Sequence, residues 1–117
     1  MTDQKALLES ITEASSLPQL QDYVDKIITL RGFADETIQE SMLLLLEETG
    51  ELAKAIRKTA TNLSVDADNM QSYGLVENEA ADVFIVLLAI CNKLKIDLFS
   101  ALKEKERQNS ERNWIKN

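Results

Sequence analysis

Histidine is absent from the 117-residue chain, and cysteine occurs once, as Cys91 inside an apolar stretch. Histidine-dependent triads, histidine-ligated metals, cysteine-based zinc cages and an internal disulfide are therefore excluded. Cys91 reads as a small buried hydrophobe. One proline, three glycines and few β-branched runs leave too little punctuation for a β-sheet. The apolar run from Val83 to Ile90 is too short to cross a bilayer, so no membrane partner is expected. The first fifteen residues carry acids and no basic segment followed by an apolar one, which does not read as a secretory signal, and the expected compartment is the cytoplasm. With a net charge of -7, the surface repels phosphate backbones, so duplex nucleic acid is not an expected partner.

What is abundant is Leu, Ala, Glu, Lys and Gln, the vocabulary of an all-α protein. The length suits one helical domain over 1–117, a bundle of four to five helices. A first helical segment is expected from Asp3 to Ser16, within an N-terminal extension of residues 1–16. Leu17-Pro18 opens a second helix that stops near Arg31-Gly32. A third begins with Asp35 as N-cap and Glu36 in its first turn, and continues to about Thr59. Residues 60–74 turn polar and read as a mobile connecting loop. Helical pattern resumes from Leu75 to Leu94, breaks at Lys95-Ile96-Asp97, and continues behind an Asp97 N-cap to about Arg112.

Two helices place acids where apolar residues belong. At about 100° per residue, Ser41, Leu44, Leu45, Glu48, Leu52 and Ala55 share one stripe, with Glu51 at its edge and Glu47 just beyond. On the helix from Leu75, Asp82 aligns with Val86, Ala89 and Lys93, and Glu79 lies one turn earlier on the same side. The segment Ala80 to Cys91 is otherwise apolar all round, which implies an oligomeric core. Acidic pairs at i, i+3 also decorate solvated helix faces. Two such pairs on neighbouring helices, both beside an apolar stripe, favour a cation that offsets their repulsion. With oxygen ligands alone it should be hard, Mg²⁺ or Mn²⁺ and conceivably Ca²⁺. A ferritin-like di-iron site would need Glu-x-x-His twice.

The run Leu46-Glu47-Glu48-Thr49-Gly50-Glu51-Leu52-Ala53, then Glu79-Ala80-Ala81-Asp82-Val83, then Lys105, Asn109 and Arg112, resembles the MazG-type all-α nucleoside triphosphate pyrophosphohydrolases. Their signature is Glu-Glu-x-x-Glu, a variable gap, and Glu-x-x-Asp; here Leu52 to Asn78 form the gap. The similarity covers about Arg31 to Trp114. It implies a helical core that dimerises, sometimes into dimers of dimers, and a Mg²⁺-dependent hydrolysis of a nucleoside triphosphate to monophosphate and pyrophosphate. It further implies that Glu48, Glu79, Asp82 and Glu51 ligate metal, that Glu47 holds or activates water, and that Lys105, Asn109 and Arg112 meet the phosphates. The apolar run Leu43 to Leu46 departs from members that carry a Lys before the double Glu.

Lys105, Asn109 and Arg112 lie at i, i+4, i+7, one face of the last helix, among Lys103, Glu104, Glu106, Arg107 and Glu111, which would suit an ordinary solvated surface equally. Trp114, Phe33 and Tyr73 are available either for packing or for stacking on a base. Phe84 and Phe99 suit a core or an interface. Two other readings stand beside nucleotide house-cleaning: a non-catalytic helical interaction module, and phosphoribosyl-ATP cleavage on the same scaffold.

Overall fold

Every regular element in the computed structural model, which describes residues 3–117, is helical. Met1 and Thr2, the start of the expected N-terminal extension, lie outside the described residues. The first helix, α1, spans only Gln4–Glu9, capped by Asp3, whose carboxylate accepts from Ala6 N at 2.8 Å. It was expected to reach Ser16. Beyond it Thr12 N donates to Ser15 Oγ at 2.8 Å and Ala14 N to Thr12 Oγ1 at 3.2 Å, so hydroxyls take the amides that a helix would use.

Helix α2, Leu17–Leu30, opens with a reciprocal capping box: Ser16 Oγ accepts from Gln19 N at 3.2 Å, and Gln19 Oε1 accepts from Ser16 N at 2.6 Å. It closes at Gly32, whose φ of +90° lets Phe33 N reach back to Ile28 O at 2.9 Å. Helix α3, Ile38–Ala60, starts later than expected. Its N-cap is Thr37 rather than Asp35, because Thr37 and Glu40 form a second capping box with bonds of 3.1 and 2.9 Å.

The polar connection after α3 is tied to that helix at several points. It carries a 3₁₀ helix, Ala67–Ser72, capped by Asp66. The buried Tyr73 hydroxyl accepts from Arg57 Nη2 at 2.6 Å and from Asp66 N at 3.3 Å, and Lys54 Nζ donates to Ser72 Oγ at 2.9 Å. Tyr73 is thus committed to α3, with the Lys54 ammonium 4.7 Å from its ring centre.

Helix α4, Val76–Lys93, ends through the same backbone turn as α2, but with Lys95 at φ 56° in the glycine position and Ile96 N donating to Cys91 O at 2.8 Å. Helix α5, Leu98–Ser110, begins at the expected Asp97 cap. Helices α3 and α4 form the most extensive pair, α2 lies across α4, and α1 and α5 both lean on α2. The shared core is Val24, Leu88 and Ala89, flanked by Leu20, Tyr23, Ile28, Ile85 and Leu98. No helix is long and apolar enough to cross a membrane.

The chain is spread out for its size. Its radius of gyration is 17.3 Å, against about 13 Å for a compact chain of this length. It exposes 8977 Å², against about 6,400 Å² for a folded monomer of this mass. Leu43, Leu46, Phe84, Phe99 and Leu102 are among the side chains left uncovered.

Candidate metal centre

On α3, Ser41 and Ala55 have no exposed surface at all, and Glu48 stands midway between them at heptad spacing. The stripe they define is the buried side of α3, and Glu48 lies on it. From α4, Glu79 and Asp82 meet it one turn apart. Glu48, Glu79 and Asp82 each offer a carboxylate oxygen within 4.8 Å of the other two. Glu48 and Glu79 are half-buried and Asp82 is exposed, so the group opens to solvent on one side.

Burial pushes the Glu48 carboxyl above the usual glutamate range, and the charges of Asp82, Glu79, Glu47 and Glu51 push it further. No cation among the described residues relieves this. Among the described residues the ion pairs join Lys26 to Asp22 and Arg107 to Glu104 and Glu111, and none reaches these acids. Three converging carboxylates without a counter-charge or a nitrogen or sulfur donor suit a hard divalent cation. Glu51, half-buried one turn beyond Glu48, and the exposed Glu47 act on Glu48 by charge but stand outside the three-acid group.

Glu48 also borders a cavity of about 260 Å³ between α2, α3 and α4. Its walls are apolar, from Ile28, Leu44, Ile85, Val86 and Ala89, and its polar members are Arg31, Glu36 and Glu48, with Phe33 beside them. Arg31 is tied to α1, its Nε donating to Gln4 Oε1 at 2.9 Å. Glu36 is tied to α3 and α4: it accepts from Ser41 Oγ at 2.7 Å, and its backbone carbonyl accepts from Lys93 Nζ at 2.6 Å. Of this cavity the sequence pattern singles out Glu48 as a ligand and Phe33 as a stacking candidate. Arg31 and Glu36 carry no motif and acquire a role only when α2 folds back over α4.

The model of the MazG nucleotide pyrophosphohydrolase domain matches residues 36–113. The chain belongs to the MazG family. Searches of curated proteins and of solved structures gave no match. The family is one of nucleotide pyrophosphohydrolases, generally dependent on a divalent metal, which agrees with the cluster on α3 and α4. The matched MazG domain takes in α3, α4 and α5, and with them all the acids above. Helices α1 and α2 lie before it, so Ile28, Arg31 and Phe33 bring to the cavity a wall from outside the matched domain.

Lys105, Asn109 and Arg112 of the MazG domain are set apart from the acids. Helix α5 leans on α2 and makes no comparable contact with α3 or α4. Lys105 and Arg112 are exposed. Trp114 folds back over the helix end, its Nε1 donating to Asn109 O at 2.8 Å and the Arg112 guanidinium lying 5.9 Å from its ring centre.

Proposed function

We propose that this MazG domain hydrolyses a nucleoside triphosphate to the monophosphate and pyrophosphate in the cytoplasm, clearing unwanted nucleotides from the pool. Mg²⁺, replaceable by Mn²⁺, is held by Glu48, Glu79 and Asp82, with Glu51 completing the ligand set. The observation that carries this reading is the convergence of three acids from two helices with no ion pair to offset them among the described residues. A bound divalent cation supplies neutralisation of phosphate oxygens and a more acidic water.

The chain's own residues do the rest. Glu47, exposed beside Glu48, accepts the proton of the water as its oxygen bonds to the α-phosphorus. The bond from that phosphorus to the bridging oxygen breaks, and pyrophosphate leaves with the electron pair. The cavity beside Glu48 receives the base, with the Phe33 ring as a stacking surface and apolar walls that exclude water. Set apart from the acids of their own chain, Lys105, Asn109 and Arg112 would meet the phosphates at the site of a second copy of the chain.

A homodimer or homotetramer accounts for the open protomer. The excess of exposed surface, roughly 2,500 Å² over a compact monomer, matches what obligate interfaces cover. Assembly would also surround α5, which its own protomer leaves largely bare.

The test is incubation of the purified chain with ribo- and deoxynucleoside triphosphates and Mg²⁺, with pyrophosphate and phosphate measured separately. Pyrophosphate in step with monophosphate supports the reading, and orthophosphate release or no turnover contradicts it. Sedimentation at micromolar concentration checks the assembly: a species of 13.2 kDa that retains full activity would refute it.

A further inference from the structure

Glu79 reaches its partners by lying against the backbone of Gly74. A Cβ on Gly74 would overlap Glu79 Oε1, stand 2.9 Å from Cδ and 3.2 Å from Cγ, whereas a Cβ on Gly50 would meet nothing within 4 Å. Conformational freedom does not account for glycine at position 74, because the one glycine with positive φ is Gly32.

The wall behind Glu79 is also firmly built. Tyr73, the preceding residue, is buried and held through its hydroxyl by Arg57 and by the amide of Asp66. Ser72 is held by Lys54, and Glu79 N donates to Leu75 O at 3.0 Å, closing the first turn of α4 against the loop. An atom added at Gly74 therefore meets a backbone tied at both ends and, on the other side, the free end of a flexible side chain. The side chain yields. We propose that Gly74 is a positioning residue: its bare backbone admits the Glu79 carboxylate to the group with Glu48 and Asp82, and any side chain there deflects it. This rests on the metal-site reading above and gives the fastened loop a role in it.

Mn²⁺ titration by calorimetry, on the full chain without nucleotide, tests the proposal in four proteins: the parent, Gly74→Ala, Glu79→Ala and the double variant. Loss of a group that orients a ligand typically weakens metal binding by about ten- to a hundredfold, and Gly74→Ala is expected near the lower figure with its melting midpoint unchanged. In the Glu79→Ala background the same change should do nothing, an outcome that a merely structural glycine would not produce. Unchanged Mn²⁺ affinity in Gly74→Ala, or an equal loss in both backgrounds, overturns the proposal and leaves the metal site standing. A parent chain that takes up no Mn²⁺ overturns both. Loss of helical circular dichroism in Gly74→Ala also contradicts it, since the displaced group is free to move.

Discussion

Gln21 and Asn92 hold each other in both directions: Gln21 Nε2 donates to Asn92 Oδ1 at 3.1 Å, and Asn92 Nδ2 donates to the Gln21 carbonyl at 2.8 Å. Gln21 also donates to Ile96 O at 2.8 Å and accepts from Leu98 N at 2.9 Å. One buried amide side chain thus ties α2 to the end of α4 and the start of α5.

Replacing Gln21 by Leu roughly keeps the volume and strands the Leu98 amide, the Ile96 carbonyl and the Asn92 side-chain oxygen, while the backbone carbonyl of residue 21 keeps its bond from Asn92. A stranded group costs about 1–3 kcal/mol, so Gln21→Leu should destabilise the chain by about 2–4 kcal/mol in urea unfolding. A loss within the error of the parent would show that water replaces these bonds freely.

Lys95 occupies, at φ 56°, the position that Gly32 fills after α2. The left-handed region costs a side-chain-bearing residue about 1 kcal/mol relative to glycine. Lys95→Gly should therefore raise stability by about 0.5–1 kcal/mol, and Gly32→Ala should lower it by a similar amount. Opposite signs in the two variants are the check.

Much of this was legible in the residues and some was not, for physical reasons. The acids stood out because carboxylates on a buried stripe violate its pattern, and Asp97 announced its helix because an Asp cap acts over three residues. The cap of α3 falls on Thr37 instead of Asp35 because of a reciprocal bond with Glu40 that the Asp35 reading did not consider. The early end of α1 depends on hydroxyls of Thr12 and Ser15 that suit a helix or a turn almost equally. The fastening of the loop by Arg57, Lys54 and Tyr73 and the cavity wall from Arg31 join residues distant in sequence, and the overlap of Gly74 with Glu79, though the two are near in sequence, depends on how the loop meets the first turn of α4. No local pattern contains them. The placement of α5 away from the acids belongs to the arrangement of all the helices and so to no single segment.

Glu48 sets a pH dependence whose sign can be worked out. Burial and its acidic neighbours raise its carboxyl, so in the metal-free chain the folded state keeps a proton that the unfolded state has released. From Glu48 alone, metal-free stability falls as pH rises through the interval between the two titrations and is flat above it. Glu48→Gln removes both the titration and the repulsion. Without metal it should melt higher than the parent at neutral pH, by a margin that shrinks on acidification, while its Mg²⁺-dependent turnover is lost. A lower neutral melting point in Glu48→Gln would contradict the crowding of acids.

Lys105 and Arg112 should act on the triphosphate and not on the metal. A charge-assisted contact is worth about 1.5–3 kcal/mol, so Lys105→Ala or Arg112→Ala should lower kcat/KM by about ten- to a hundredfold. Mg²⁺ affinity measured without nucleotide should stay as in the parent. Turnover equal to the parent's would make this face of α5 ordinary solvated surface and assign the phosphates to other cations.

The central claim is that Glu48, Glu79 and Asp82 hold one divalent cation between α3 and α4. Anomalous diffraction from crystals soaked in Mn²⁺ tests it most directly, because the signal locates the ion without reference to activity. The account predicts a Mn²⁺ peak in direct contact with carboxylate oxygens of all three residues, absent in crystals of Asp82→Ala soaked alike. A parent crystal with no peak between the two helices, or with its Mn²⁺ bound only elsewhere on this acidic chain, would contradict it.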